Sequence, residues 1–242
     1  MNNKFNTGII TMTITDWPQI QSHILQFEQE GLVTRTFRRL DPHRQQAVLS
    51  AIMDEAVAKG PTSINIKDVA ARASVAVGSL YTYFGNRDGL LNFAVELCVR
   101  YMTDMFTYYG TYLEQLPLRE ALAAYLTGGV EWSQTQTGLI HFFVRAAYHG
   151  DPHMSERVVR PIADTMREMM HGMLTRAVER DEIRKDVDLE AVTRVINALM
   201  IAVGDSQIMP YLNTYFQVTD DEMPPDRLLD ALIDFILRGV AP

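Results

Sequence analysis

Apolar residues recur along this chain every three to four positions, interrupted by Gly, Pro and Asp at intervals that suit helices. Trp17, Ile20, Ile24 and Phe27 share one helical face, with Asp16 placed as a cap, Pro18 in the first turn and Gly31 as the stop. Asp41-Pro42 reads as an N-cap followed by proline at the first helical position. From there Val48, Ile52 and Ala56, flanked by Leu49 and Met53, recur by four until Lys59-Gly60-Pro61 ends the run. Asn65 heads a short helix from Ile66 to Ala73, and a second short helix follows from about Val77 to Phe84. Beyond Asp88 the pattern stays helical, with breaks at Leu116-Pro117, Thr137-Gly138, Gly150-Asp151-Pro152, Lys185-Asp186 and Met223-Pro224-Pro225. Leu90, Phe93, Ala94 and Leu97 start one amphipathic run, and Leu118 to Trp132, Leu139 to Tyr148, Met154 to Val178, Leu189 to Ile208 and Leu228 to Val240 are the others. Asn2, Asn3, Asn6, Thr7 and Gly8 read as a loose start, and only Ile9 to Thr15 suits a strand. The prediction is an all-α chain without internal repeats.

Residues 66 to 87 carry the chemistry. Two helices too short to stand alone are joined by a tight turn of small residues, which is helix-turn-helix logic. Ala70 is small where the helices cross, Val75 plugs the turn, and Leu80 with Phe84 anchors the second helix. Val77, Gly78, Ser79, Tyr81, Thr82 and Tyr83 remain outward, and a helix of this kind enters the DNA major groove with short side chains on base edges.

The run Val77-Gly-Ser-Leu-Tyr-Thr-Tyr-Phe-Gly-Asn-Arg-Asp-Gly-Leu-Leu, preceded by Ile66-Lys-Asp-Val-Ala and by the helix from Asp41 to Lys59, resembles the DNA-binding domain of the TetR family of bacterial transcriptional regulators. The resemblance covers roughly residues 41 to 95; the remainder is similar in length and helical character. It implies an N-terminal three-helix DNA-binding domain at 41–92, a larger helical ligand-binding and dimerisation domain at 93–242, and an extra N-terminal extension at 1–40. It implies phosphate contacts from Tyr81, Tyr83 and Arg87, with close backbone approach at Gly78; Lys67 is a further DNA-binding candidate. Three positions depart from the family pattern. Ser74 stands where the turn usually has Gly, Ala76 where a Ser or Thr usually caps the recognition helix, and Val77 where a polar or basic residue is frequent. Base reading then falls to Ser79 and Thr82, with Val77 available to a thymine methyl. The basic cluster Arg35, Arg38 and Arg39 suggests a flexible arm reaching an adjacent minor groove.

Charge changes the picture only when it is located. The 242 residues carry a net charge of −8, with 47% apolar and 21% charged. Residues 1 to 92 are close to neutral, so the acidity belongs to the C-terminal part and the DNA-binding segment is free to meet phosphates. The single Cys excludes an intramolecular disulfide framework and favours a reducing compartment. No stretch is long enough to span a bilayer and no secretory pattern opens the chain, so the expectation is a cytoplasmic protein without membrane association.

The C-terminal part is rich in Met, which adapts to irregular cavities. With Phe106, Tyr109, Tyr125, Trp132, Phe142, Met169 and Met173 as apolar candidates, and His141 and Arg145 as polar fixers, it has the materials of a small-molecule site. The resemblance implies an effector cavity in these helices. It also implies a four-helix dimer interface, for which Val192, Val195, Leu199 and Val203 on one helix and Leu228, Leu232 and Phe235 on the last are the candidates. Two recognition helices for two half-sites require such a homodimer.

His149, Asp151 and His153 read as an interhelical turn rather than a metal site, and Cys98 as a core residue rather than a nucleophile. No catalytic trio, metal motif, P-loop or dinucleotide motif is present, so neither enzyme activity nor a cofactor is expected. The leading reading is a homodimeric, ligand-responsive repressor of a palindromic operator in double-stranded DNA. A rival keeps the fold but uses the apolar face of residues 17 to 27 to dock a protein partner, with DNA binding secondary.

Overall fold

The computed structural model of the chain describes residues 17–135 and 137–242. The loose start, the extended piece Ile9 to Thr15 and the cap at Asp16 lie outside the described residues. Helices alone form the regular structure among those described: α1 (Trp17–Gln29), α2 (Arg35–Arg38), α3 (Pro42–Lys59), α4 (Ile66–Arg72), α5 (Val77–Phe84), α6 (Arg87–Leu113), α7 (Leu118–Thr135), α8 (Thr137–His149), α9 (Pro152–Met154), α10 (Arg160–Glu179), α11 (Leu189–Ile208), α12 (Pro210–Phe216) and α13 (Pro225–Val240), with a 3₁₀ turn at Pro61–Ser63. They gather into two compact units. Of the described residues, the first takes in those through Ala94 and those within 135–142, the second residues 95–134 and 143–242.

In the first unit, helix starts follow their caps. Asp41 accepts from the Arg44 amide at 3.1 Å and Asn65 from the Lys67 amide at 3.0 Å, which satisfies donors that a helix start leaves orphaned. Val48, Leu49, Ile52, Val69 and Leu80 bury the faces that periodicity marks, together with Leu90 and Phe93. Ile20, Ile24 and Phe27 of α1 are fully buried in the same unit, so the apolar face that motivated a docking role is taken up by the unit's own core. Gly31 ends α1 with φ +77°, a left-handed conformation that costs glycine nothing.

The Arg35–Arg38 segment is not the expected flexible arm. It is helix α2, capped by Thr34, with Phe37 fully buried against Tyr83, Phe84 and Phe93 at centroid distances of 5.6, 5.1 and 5.7 Å.

The second unit packs α10, α11 and α13 around Met170, Met173, Leu174, Ile196, Met200, Ile233 and Ile236. The run expected from Met154 to Val178 is divided: a π-helical stretch, Ser155–Val159, leads into α10. Pro161 follows at once and lacks the amide that a regular ladder would use there. The turn at Leu116-Pro117 is pinned by Arg180, which donates to the carbonyls of Glu114 (3.0 Å) and Leu116 (2.7 Å). Glu182 accepts from the Leu118 amide at 2.6 Å.

Candidate nucleic-acid interface and effector region

Helices α4 and α5 meet through a turn in which Ser74 adopts φ +54°. The turn thus takes the left-handed conformation for which Gly is the usual residue, at the steric cost of a Cβ. Ala76 has the extended backbone of an N-cap, φ −68° and ψ 144°, but no side-chain oxygen to accept from the first turn of α5. The departures at Ser74 and Ala76 are therefore real features of the fold.

The spacing of α5 divides its residues between two faces. Leu80, Tyr83 and Phe84 turn inward, while Gly78, Tyr81 and Thr82 lie exposed and Val77 and Ser79 are half-buried. Tyr81 keeps 46% of its surface in water. The Thr82 hydroxyl donates back to the Gly78 carbonyl at 3.0 Å, and Lys67 on α4 is exposed.

Tyr83 corrects the sequence reading. It is buried, three residues after the anchor Leu80, and Phe37 of the extension covers its ring. It is a packing residue.

Arg87 is half-exposed but engaged: its Nε donates to the Ile64 carbonyl at 2.9 Å and a terminal nitrogen to that of Thr62 at 2.5 Å. It ties the start of α6 to the loop before α4. Asn86 caps α6 by accepting from the Gly89 amide at 2.8 Å. Glycine is required at 89, because a Cβ there would stand 2.0 Å from the Phe84 carbonyl oxygen.

The effector candidates fall in different places. Met169 and Met173 are buried in the core of the second unit, with Phe106 and Tyr125 partly buried against it. Trp132 stacks on Tyr101 at 6.0 Å, and Tyr109 is exposed. His141 and Phe142 belong to the first unit, where Phe142 is fully buried. Arg145 holds its Nε buried without a hydrogen-bond partner, as Asn197 holds its Oδ1.

Sequence reasoning missed a polar pair in the second unit. The Tyr148 hydroxyl donates to Asp205 at 2.9 Å, and burial pushes the Asp205 carboxyl up to about 6. Burial, with the Asp205 charge behind it, also raises the Tyr125 phenol. The available signal was an acid inside the apolar stretch of α11, two residues after Val203.

Of the interface candidates, Val195 on α11 and Phe235 on α13 are 59% and 69% exposed, and Val192, Leu199 and Leu228 are half-buried. Val203 and Leu232 are corrected: both are buried in the core of the second unit.

Asp151 is the cap of α9, accepting from the Met154 amide at 2.8 Å, in accord with an interhelical turn. Among the described residues no cluster of His, Cys, Asp and Glu is arranged to hold a metal ion. Burial raises the Cys98 thiol, against any role as a nucleophile. No helix among them is long and apolar enough to cross a membrane.

Comparison with known proteins agrees with this geometry. Residues 48–93 match the model described as bacterial regulatory proteins, tetR family, and residues 115–203 that of the tetracyclin repressor-like C-terminal domain. No curated protein sequence matches. Among solved structures, a TetR family transcriptional regulator from Chloroflexus aurantiacus J-10-FL is similar with a TM-score of 0.60 at 17% identity, over 87% of this chain and 99% of that one. The transcriptional regulator FadR from Bacillus subtilis, solved in complex with stearoyl-CoA, gives 0.58 at 16%, over 80% and 98%. A gamma-butyrolactone receptor described as ArpA-like gives 0.55 at 16%, over 81% and 98%.

Proposed function

Because the chain belongs to the TetR family of bacterial transcriptional regulators, we propose that it acts as a cytoplasmic homodimeric repressor, released from a palindromic operator by a small, largely apolar effector. The observation that carries DNA binding is the exposed face of α5, where Gly78, Tyr81 and Thr82 stand together on a helix whose other side is locked in the core. Val77, Ser79 and Thr82 read base edges, while Tyr81, Lys67 and the exposed edge of Arg87 meet phosphates. In this reading the DNA-binding domain is residues 41–92, preceded by the extension, and the effector and dimerisation domain is residues 93–242.

For the effector, the buried Met169 and Met173 with Phe106 and Tyr125 supply apolar lining. Arg145 and Asn197 supply polar groups in need of partners. Solved relatives described as a stearoyl-CoA complex and as a gamma-butyrolactone receptor support an effector with a substantial apolar portion. Val195 and Phe235, with Val192, Leu199 and Leu228, form the dimer face. Effector binding shifts the population toward an arrangement whose recognition helices no longer match the operator. A coupling of about 1 to 3 kcal/mol lowers affinity roughly 5- to 150-fold. No catalytic role is assigned.

The test is selection of duplexes from a random-sequence pool by the purified protein, repeated over a salt series. A palindromic site bound with steep salt dependence is expected. Weak, sequence-blind binding at every salt concentration would overturn the reading. In sedimentation, Val195→Glu with Phe235→Glu is expected to give monomers that no longer hold the selected site.

A further inference from the structure

We propose that α1 and α2 form a rigid cap on the recognition helix that carries a second DNA contact, in which Arg35 and Arg39 meet backbone phosphates beside the groove entered by α5 and Arg38 serves as an internal strut. The inference rests on the DNA-binding reading above and assigns the extension a part in it.

The three arginines have different fates. Arg38 pairs with Glu28 at the end of α1, and both side chains are partly buried. Arg35 and Arg39 are exposed; Arg35 opens α2 and Arg39 is its C-cap, still in helical conformation, so that four residues apart they fall on one side of the turn.

The charges of the first unit sort in the same way. Lys59 pairs with Glu55 and Asp68, Arg72 with Glu55, Arg44 with Asp41, and Arg87 with Asp88 and two carbonyls. Among the described residues of the unit, Arg35, Arg39 and Lys67 are the cations that no carboxylate engages. In an acidic chain, cations left without partners beside a recognition helix match a polyanion.

Their position is fixed by four elements. The Thr34 amide donates to the Tyr83 carbonyl at 3.0 Å and its hydroxyl to the Thr82 carbonyl at 2.9 Å, so α2 begins on the last turn of α5. Buried Gln45 of α3 donates to the carbonyls of Phe37 and Arg38 at 3.1 and 3.0 Å. Phe37 is locked among Tyr83, Phe84 and Phe93. Glu28 holds the fourth side. Arg35 thus sits one residue, about 3.8 Å of chain, from the residue that touches the recognition helix. A side chain on a backbone already held in place gives up less freedom on binding than one on a loose arm.

The test uses the full chain and the duplex it selects from a random pool, titrated between about 50 and 300 mM salt, with thermal melting of each variant beside it. R35A/R39A is expected to reduce the slope of log affinity against log salt by about 0.9 for each phosphate that is no longer neutralised, about two per protomer, with the melting temperature unchanged. R35K/R39K keeps most of the slope, because charge suffices for a phosphate. R38A lowers the melting temperature and leaves the slope intact. An unchanged slope in R35A/R39A, with wild type still binding its duplex steeply, overturns the inference alone. If wild type selects no duplex, the DNA-binding reading falls and the inference with it.

Discussion

Among the starts of α2 to α6, that of α5 is the one without a side-chain cap. Asp41 and Asn65 each accept from the first turn of α3 and α4, whereas Ala76 offers only its backbone carbonyl, which takes the Ser79 amide at 2.9 Å. The backbone of Ala76 is already in the extended conformation that a capping residue adopts, and the residue is exposed. Ala76→Ser therefore supplies an acceptor without moving the chain. The gain expected for Ala to Ser at an N-cap is about 1 kcal/mol, which is about 2 to 4 °C in melting temperature for a chain of this size. Urea unfolding, with the slope unchanged and only the midpoint displaced, is the appropriate assay. Ser74→Gly is the control. Relief of the left-handed Ser is worth about 1 kcal/mol, and the added freedom of the unfolded chain takes back about 0.4 to 1 kcal/mol, so its midpoint is expected to move little. The reasoning is refuted if Ala76→Ser leaves the midpoint where it was while Asp41→Ala and Asn65→Ala each cost about 1 kcal/mol.

Other expectations follow from single contacts. Phe37→Ala removes the centre of the ring cluster and is expected to cost about 3 to 5 kcal/mol, read by circular dichroism melting, with loss of DNA affinity as Tyr83 is uncovered. Gly89→Ala drives a Cβ into the Phe84 carbonyl and is expected to cost roughly 1 to 3 kcal/mol, whereas an unchanged melt would deny the close approach. Asp205 holds its proton more tightly folded than unfolded, at about 6 against an ordinary 3.8. Its favourable contribution is complete below about pH 4 and is lost as pH rises through 6, a swing of about 3 kcal/mol at most. Asp205→Asn, which still accepts from Tyr148, should match wild type near pH 4 and exceed it at pH 8 in urea midpoints. Equal midpoints at pH 8 would count against a desolvated carboxyl.

The bounds of α3, α4 and α5 were legible because proline, caps and spacing by four act within a few residues of each other. What was not legible depended on distant parts of the chain. Four residues show no period, so α2 read as a flexible basic arm, although Thr34 as a cap and Phe37 as an anchor were in view. Tyr83 read as a phosphate contact because its cover, Phe37, comes from 46 positions earlier. Helix α11 is apolar on more than one side, and periodicity does not say which side packs into the chain's own core. Val203 went inward and Val195 outward. Asp205 gave only the oddity of an acid in an apolar run, since burial is a property of the packed helices around it.

These two kinds of information meet at α5. An eight-residue helix is too short to be stable alone in water, and this one starts without a cap and follows a turn held in the left-handed region. Its order must come from outside itself: from Leu80 and Phe84 in the core, from Phe37 over Tyr83, and from Thr34 on the carbonyls of Thr82 and Tyr83. The N-terminal extension thus supplies at the end of the recognition helix some of the order that the sequence fails to supply at its beginning. If so, the two ends are coupled. Thr34→Val, which removes the hydroxyl tie but keeps the backbone bond, should cost less in an Ala76→Ser chain than in wild type. In a double-mutant cycle this appears as an interaction energy of about 0.5 kcal/mol or more. Strict additivity would mean that the cap and the extension stabilise α5 independently.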